Sequence, residues 1–545
     1  MRWKSFIRPR PLASLPVWMI FPAVFAALLV SHIILLALPY YWDEAGYYIP
    51  AAWDFYRTGS LIPISTLSNA HPPLPSLYLS FWWNALRYCP EVTREAVLGV
   101  AALGLTALWR LAMRLTEVPA VALWTVALTA LYPIWFAQSS LAHADIFAAA
   151  CTLWGLVYSL PARNRELPRK PWVAAAWFAA AALSKETAIA IPLTLAAVSL
   201  IESRRAPGMA RLRLWRDAAW LAACALPLAA WYAYHRAKTG FLFGNPEFLR
   251  YNAQANLTTV RFLAAFGHRV LHLTAHMNLF VPVLLALAAL FFTPRCDSNG
   301  DPRPGIEPAA QRRIFLLLLM NAVLFSVLGG ALLTRYLLPM YPLVLLLAVT
   351  TLYRRAPYWQ CMTALSAAAF MVGIFVNPPY GFAPEDNLAY ARVIRLHQAG
   401  IIELERRYSG ATVLSAWPVT DELTRPELGY LEQPFAVERI EDFTANEIAR
   451  AAGEPEKYST ALVFSTKYDP RSPLFTLGAK SKAIDERYFG LHRDLPPEEI
   501  ARQLHGNLVW MRQDHGQWIA LIRFNRQYEA RAGGELPANE IGSLP

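Results

Sequence analysis

The stretch that decides the fold is residues 171–201, PWVAAAWFAAAALSKETAIAIPLTLAAVSLI. Its only charges are Lys185 and Glu186 at the centre, and it is too long for one membrane-crossing helix of about 20 residues yet short for two. The flanking segments PARNRELPRK and ESRRAPGMARLRLWRD are basic. Because basic residues concentrate on the cytoplasmic side of a membrane, both flanks are predicted to be cytoplasmic. The run is therefore predicted to be a hairpin of two short helices, with its SKET tip at the outer face.

Further apolar runs lie on both sides of this hairpin. Each approaches the length of a membrane-crossing helix, in which every backbone polar group is satisfied within the segment. They lie near residues 15–38, 95–112, 118–136, 146–161, 217–235, 277–293, 314–332, 336–353 and 358–376. With the hairpin, they predict a polytopic α-helical membrane protein of about 11 transmembrane helices. On this topology the N-terminus is cytoplasmic and the C-terminal domain lies on the outer side.

The composition agrees with a membrane environment. Residues of the AVILMFWYC set make up 56% of the chain and charged residues 16%, against about 25% charged residues in soluble proteins. The net charge of +11 is uneven, because residues 1–376 hold 31 basic and 15 acidic groups (+16), and residues 377–545 hold 19 and 24 (−5). The basic excess lies among apolar runs, so it indicates membrane topology and argues against a nucleic-acid partner. The five cysteines form no CxxC pair, which argues against a zinc site and a disulfide framework.

Two domains are predicted from this pattern. Residues 1–376 form the transmembrane module, whose outer loops 39–94 and 236–276 are far longer than a connection requires. Loops of such length tend to be functional. Residues 377–545 alternate helical patterns, such as LAYARVIRLHQAGIIELERRY, with short apolar runs such as ATVLSAW and TALVFSTK. This alternation is typical of a soluble α/β domain with a partly parallel sheet, and no GxGxxG or GxxxxGKS/T phosphate loop is present in it.

Charged groups at the edge of a membrane bundle are costly, so each one at the outer face is a candidate site residue. Asp43 and Glu44 follow the first apolar run in YYWDEAGYY. Adjacent acids do not share a helix face, so one could accept a proton while the other orients the loop. The alternative is an aromatic belt at the membrane interface with two solvated acids.

Two further candidates lie in predicted outer segments. His71, in NAHPPLPSLYLSFWW, is followed by two prolines that stiffen the chain. It could exchange a proton or bind a phosphate, or it could be a satisfied interfacial histidine. Asp145 is the only acid between Glu117 and Glu166. It could line an active site, cap the helix that follows, or do both.

Two cations complete the set. Lys185 at the hairpin tip could pair with Glu186 or contact a ligand. Arg335, in TRYLLPMYPLVLLL, could be a snorkelling anchor that reaches the headgroup layer. A guanidinium group also binds phosphate oxygens through paired donors, so Arg335 beside Tyr336 suits a lipid phosphate.

These elements form an ordered set: acids after the first helix, HPPL in the same loop, an aspartate at the next outer corner, SKE at a hairpin tip and RYLLP late in the bundle. The set resembles the C-type integral-membrane glycosyltransferases that use polyprenyl-phosphate sugars, particularly the protein O-mannosyltransferase and aminoarabinose-transferase branch. The resemblance covers about residues 35–345. It implies a C-type glycosyltransferase fold, a polyprenyl-phosphate sugar as donor, and an unidentified protein, lipid or glycan as acceptor.

The resemblance also implies roles for individual residues. Asp43 is expected to be the catalytic base, with Glu44 and Asp145 as the other catalytic carboxylates. Four residues are expected at the lipid phosphate of the donor: Lys185, Arg335, Tyr336 and His71. Aminoarabinose transferases have a lysine where this chain has His71, so the donor sugar stays open. The implied reaction is a substitution at an anomeric carbon, in which a carboxylate deprotonates the acceptor and cations meet the developing phosphate charge.

The sequence leaves other functions open. An oligosaccharyl or polymer transferase with a diphosphate-linked donor could hold a divalent cation between Asp43 and Asp145, although no cofactor is required by the pattern. A flippase or transporter of lipid-linked sugars would also place sparse charges in an apolar bundle, but such proteins often contain inverted repeats. A membrane-anchored binding module would use residues 377–545 as its working part. Short basic cytoplasmic loops favour a bacterial inner membrane with the active face and the C-terminal domain in the periplasm.

Overall fold

Apolar helices form most of the first part of the chain in this computed structural model, which describes residues 17–163, 170–244, 246, 258–297, 300–328, 332–468, 479–489 and 494–524. The chain divides into two compact units. The first comprises Met1–Ala391 and Pro473–Gly490, and the second comprises Arg392–Ser472 and Leu491–Pro545. The predicted boundary at residue 376 stays a prediction.

The first unit consists mainly of helices. In chain order the helices are α1 (Val17–His32), α2 (Ile49–Thr58), α3 (Leu74–Ala85), α4 (Pro90–Thr116), α5 (Pro119–Leu131), α6 (Pro133–Gln138), α7 (Ala144–Ser159), α8 (Pro171–Ser184), α9 (Ala190–Ser203), α10 (Gly208–Ala223), α11 (Ala225–Thr239), α12 (Thr259–Thr274), α13 (Phe280–Ala289), α14 (Pro308–Val327), α15 (Tyr341–Arg355) and α16 (Trp359–Phe375). Many of them begin with proline at the first helical position, where its missing N–H costs nothing. The predicted apolar runs therefore correspond to helices.

Within the described residues, three helical segments are long and apolar enough to cross a membrane: α4, Glu186–Ser203 and α14. Residues Thr259–Asn278 and α13 meet the same criterion together but are bent by 99°, which gives a fourth candidate. Five shorter apolar helices accompany them: Met19–Leu35, α5, α7, α8 and α16. These lengths agree with an α-helical membrane protein, and the predicted total of eleven crossings stays a prediction.

The run 171–201 divides as predicted. Helix α8 ends at Ser184, Lys185 adopts an extended conformation, and a short 3-10 turn at Glu186–Ile189 leads into α9. Helices α7 and α8 pack closely, because a Cβ at Gly155 would lie 2.5 Å from the ring of Phe178. These two consecutive helices thereby bring Asp145 near the start of α7 beside Lys185 at the end of α8.

The predicted outer loops 39–94 and 236–276 contain regular structure that the sequence pattern did not indicate. A π-helix at Glu44–Tyr48 continues into α2, and α3 follows HPPL. Helix α12 lies in the second loop. Helix-starting prolines explain the first case, since Pro50 and Pro75 lie in the first turns of α2 and α3, which bury Ile49 and Trp83.

The second unit contains the partly parallel sheet that the sequence predicts. Helix α17 (Ala389–Tyr408) precedes strands β1 (Thr412–Ala416), β2 (Ala436–Ile440), β3 (Thr460–Phe464), β4 (Asn507–Asp514) and β5 (Gln517–Arg523). The strand order is β2-β1-β3-β5-β4. Strand β1 is parallel to β2 and β3, whereas β5 is antiparallel to β3 and β4. Shorter helices connect the strands: α18 (Val419–Thr424), α19 (Ala445–Ala452) and α21 (Pro497–Gln503), while α20 (Ala479–Phe489) belongs to the first unit.

Candidate functional site

Arg335 is the centre of a buried polar cluster in the first unit. It lies on a 3-10 turn at Thr334–Leu337, between α14 and α15, and is 3% exposed. Its guanidinium group donates to Asp43 and to Glu385, the latter at 2.8 Å, and its Nε lies 3.5 Å from Asp145 Oδ2. A snorkelling anchor would reach the surface, so this burial identifies Arg335 as an internal cation.

Lys185 joins the same cluster through Asp145. The Lys185 ammonium group donates to Asp145 Oδ1 and lies 4.0 Å from the centre of the Tyr336 ring. The Arg335 guanidinium carbon lies 5.9 Å from the same ring, within reach of a cation–π interaction. His143, not Asp145, is the N-cap of α7, and no side chain caps this helix. The carboxylate of Asp145 therefore holds two cations together.

His71 contacts Glu186, the neighbour of Lys185. His71 Nδ1 lies 3.2 Å from Glu186 Oε2, and the His71 ring lies 5.1 Å from that of Tyr47. Tyr48 lies between this pair and the Arg335 cluster, with its ring 5.8 Å from that of His71 and 5.9 Å from that of His143. Lys185 and Glu186 thus contact different partners instead of each other.

Glu44 belongs to a separate ion pair with Arg94. Both side chains are fully buried, and Arg94 donates to Glu44 Oε1 at 3.1 Å and Oε2 at 3.2 Å. Arg94 also donates to the carbonyl groups of Pro39 and Ser140. The pair fastens the start of the first outer loop to the corner before Asp145. Adjacent acids therefore have different partners, as the sequence predicts.

The backbone beside Asp43 is strained. Trp42 has a left-handed φ of 46°, which is uncommon for a bulky residue. Such strain persists only where the surroundings fix it, and it concentrates at functional sites. Here the Glu44–Arg94 pair fixes the residue that follows Asp43, so that the Asp43 side chain reaches Arg335.

Three polar atoms of the cluster lack a hydrogen-bond partner among the described residues: Arg335 Nε, Asp145 Oδ2 and Glu385 Oε1. Most buried polar atoms in proteins are hydrogen-bonded, so such exceptions point to a functional role. The Arg335 guanidinium can still donate to a phosphate oxygen. A ligand with an oxygen acceptor for Arg335 and a hydroxyl or amine donor for the two carboxyl oxygens would complete the site.

Three side chains of the site were not found from sequence. Glu385 lies beyond the stretch that carries the family resemblance, and it falls in the acidic part of the chain, residues 377–545, where one more acid gave no signal. His143 Nδ1 lies 3.2 Å from Arg335 Nη1 and 2.9 Å from Gln138 Oε1. Arg269 on α12 is 2% exposed, donates to the Leu333 carbonyl at 2.8 Å, and lies 5.9 Å from the Tyr336 ring. The period of α12 could have shown Arg269 on its buried face.

Burial changes the charge state of two of these groups. Burial raises the pKa of Glu385 to about 8, although Arg335 opposes the shift. Burial and the nearby charge of Arg335 hold the pKa of His143 well below its usual range. At neutral pH both groups are therefore uncharged. Arg335 and Lys185 then face the carboxylates of Asp43 and Asp145, so the cluster is electrically balanced.

In the part of the chain that the structure describes, no group of three or more His, Cys, Asp or Glu side chains is arranged to hold an ion. The carboxylates of the cluster contact Arg335 or Lys185. Dependence on a divalent cation stays open.

The fold of the chain is similar to that of two crystal structures of ArnT from Cupriavidus metallidurans. The apo structure has a TM-score of 0.52 with 14% identity over 93% of this chain and 98% of ArnT. The structure bound to undecaprenyl phosphate has a TM-score of 0.54 with 14% identity over 92% and 97%. At this identity the likeness concerns the fold, and it confirms the predicted resemblance at that level.

A weaker likeness links the chain to the oligosaccharyltransferase of Archaeoglobus fulgidus in its apo form. The TM-score is 0.43 and the identity 11%, over 84% of this chain and 70% of that one. The sequence matches no protein-family model and no curated protein.

Proposed function

We propose that this protein is a membrane glycosyltransferase that transfers a sugar from a polyprenyl-phosphate donor to an acceptor hydroxyl or amine. The observation that carries the proposal is the buried cluster in which Arg335 and Lys185 share Asp145, with Asp43 on the other side of Arg335. Two cations meet a phosphate, and a carboxylate beside them accepts a proton. Both requirements of glycosyl transfer lie within one site.

The donor phosphate binds at Arg335 and Lys185. Guanidinium and ammonium groups form charge-assisted hydrogen bonds with phosphate oxygens, and the open Arg335 Nε is one such donor. Arg269 adds a third buried cation, since among the described residues it contacts carbonyl groups and no carboxylate. Tyr336, against whose ring these cations pack, and His71 complete the pocket. A structure of the same fold with undecaprenyl phosphate bound supports this chemistry.

Donor binding releases the catalytic base. The carboxylate of Asp43 contacts Arg335, so an incoming phosphate competes with Asp43 for the guanidinium group. Once released, Asp43 accepts the proton of the acceptor. The acceptor oxygen or nitrogen then bonds to the anomeric carbon, and the bond from that carbon to the phosphate oxygen breaks, with its electron pair leaving on the polyprenyl phosphate. A single displacement of this kind inverts the anomeric configuration.

Asp145 and Glu44 support this reaction in different ways. Asp145 sets the spacing between Lys185 and Arg335, because its two oxygens face the two cations. Glu44 holds the loop that carries Asp43. The proposed topology has the site facing the periplasm of a bacterial inner membrane, with residues 377–545 on the same side.

The proposal is tested by transfer in proteoliposomes that contain a polyprenyl-phosphate sugar labelled in the sugar. The wild-type protein is expected to move the label from the polyprenyl phosphate to a protein, lipid or glycan acceptor, and Arg335→Met is expected to abolish this. A flippase would expose the labelled lipid on the other side with its sugar bond intact. Label that stays on the lipid under all donor and acceptor conditions would overturn the proposal.

A further inference from the structure

A second buried network, which the proposed reaction does not use, lies beside the site. His276 Nε2 lies 2.8 Å from Asp386 Oδ2, and Asp386 Oδ1 accepts the hydroxyl proton of Thr334. Asp386 is fully buried, and His276 and Thr334 are buried as well. A buried carboxylate is costly unless its oxygens are paired. Both oxygens of Asp386 are paired here, so this carboxylate links two parts of the chain.

One end of the network is a rigid point of the backbone. His276 lies at the 99° bend between α12 and α13, and Met277 and Asn278 have left-handed φ values of 48° and 65°. Two successive residues in this conformation are strained unless their surroundings fix them. The Met277 N–H donates to the Tyr380 hydroxyl at 3.3 Å, and Asn278 Nδ2 donates to the Ala369 carbonyl at 2.7 Å. The bend therefore holds His276 in one place.

The other end of the network is the residue before Arg335. Thr334 and Arg335 are consecutive, as are Glu385 and Asp386, and the two pairs of residues meet in two parallel contacts. Thr334 contacts Asp386, while Arg335 contacts Glu385 at 2.8 Å. From the other side, the Tyr341 hydroxyl donates to the Thr334 carbonyl at 2.9 Å. The backbone at Thr334, next to Arg335, is thus held from two sides, by Asp386 and by Tyr341.

Arg335 needs such support because it has competing partners. Three acidic side chains surround it, those of Asp43, Asp145 and Glu385, and donor binding requires it to exchange at least one of them for a phosphate. A long side chain with several alternatives binds one ligand well only when its supporting residues fix its orientation. We propose that His276 and Asp386 are positioning residues which, through Thr334, hold Arg335 in the orientation that binds the donor phosphate. This inference rests on the proposed function.

Thr334 offers the sharpest test of the inference. Thr334→Val removes the hydroxyl at nearly constant volume, whereas Thr334→Ser keeps it. Thr363→Val is the matched control, because Thr363 is a buried threonine that donates to the Trp359 carbonyl within α16. We expect Thr334→Val to raise the KM for the polyprenyl-phosphate donor about tenfold, which corresponds to one hydrogen bond, and to leave the acceptor KM unchanged. Thr334→Ser should restore most of the loss, and the control should behave as the wild type.

A second measurement is independent of catalysis. Hydrogen–deuterium exchange of the backbone amides of residues 332–340 is expected to be faster in Thr334→Val and His276→Ala than in the wild type. It should return toward the wild-type rate in Thr334→Ser and in His276→Gln, whose amide N–H can still donate to Asp386. Equal exchange rates in Thr334→Val and Thr334→Ser would overturn the inference. If the wild type transfers no sugar from such donors, the proposed function fails, and the exchange rates alone decide whether this network positions Arg335.

Discussion

Asp43 and Glu44 are neighbours in the sequence, yet their surroundings differ. Glu44 is fully buried, Arg94 contacts both of its oxygens, and two backbone N–H groups also donate to it. Asp43 keeps 31% of its side chain exposed and shares Arg335 with two other acidic side chains, Asp145 and Glu385. Both carboxylate oxygens of Glu44 have hydrogen-bond partners within the protein. The Asp43–Arg335 pair instead belongs to a cluster in which three polar atoms form no hydrogen bond among the described residues.

This difference distinguishes an ion pair that fixes the structure from a cluster that can bind a ligand. A buried ion pair whose hydrogen bonds are all made has no capacity left for a ligand, so it fixes the geometry of the loop. A buried cluster with open atoms is less stable in itself, and such arrangements are retained where a ligand completes them. The comparison predicts that changes at Asp43 affect transfer, whereas changes at Glu44 affect folding.

The largest expected effect is on the rate of transfer in Asp43→Asn. The amide keeps the size of the side chain but accepts no proton, so kcat is expected to fall about 10²–10⁴-fold. Thermal stability should change little, because Asp43 is partly exposed. The measurement is single-turnover sugar transfer beside a melting curve for the same preparation. A variant with normal kcat would show that Asp43 is not the base.

The next effect is on stability in Glu44→Gln. This change leaves the Arg94 charge buried without a carboxylate, and breaking a buried pair costs about 3–5 kcal/mol. We expect a lower melting temperature and a lower yield of folded protein. Glu117→Gln is the control, because Glu117 and Arg163 form an exposed pair, 3.7 Å apart, which is worth about 1 kcal/mol at most. Equal melting temperatures for the two variants would contradict the structural role of Glu44.

A smaller effect is expected from pH through Glu385. Burial raises the pKa of this carboxyl group to about 8, so the folded protein keeps the proton below that pH. Above it, Glu385 becomes negative and repels the donor phosphate, and the donor KM should rise by at most about tenfold per pH unit. Glu385→Gln removes this ionisation. Its donor KM should stay level between pH 7 and 9, and a rise identical to that of the wild type would assign the effect to another group.

Much of the fold could be predicted from the sequence, because the length of the apolar runs and the charge of the loops between them indicate membrane helices directly. The division of residues 171–201 at Lys185 is confirmed. Strands β1 and β3 of the C-terminal sheet also lie in the predicted apolar runs ATVLSAW and TALVFSTK, whereas β2, AVERI, was missed. Two of its five residues are charged, only Ile440 is buried, and the strand lies at the edge of the sheet. Edge strands give a weak hydrophobic signal.

The site was less accessible to sequence reasoning. The sequence identified Asp43, Asp145, Lys185 and Arg335 as candidates, because each is an isolated charge near apolar runs at the predicted outer face. The pattern could not identify the partners of those charges. Arg94 lies 50 residues along the chain from its partner Glu44, and Glu385 lies 50 residues from its partner Arg335. Only the three-dimensional packing brings these residues into contact.

The central claim is that Arg335 is the cation that binds the donor phosphate. Its most direct test is the dissociation constant of undecaprenyl phosphate for the purified protein in lipid nanodiscs, compared between the wild type, Arg335→Met and Arg163→Met. Two charge-assisted hydrogen bonds are worth about 3 kcal/mol or more together, so Arg335→Met is expected to weaken binding about 100-fold or more. Arg163→Met is expected to have the dissociation constant of the wild type, because Arg163 is exposed. Equal dissociation constants for all three proteins would contradict the account.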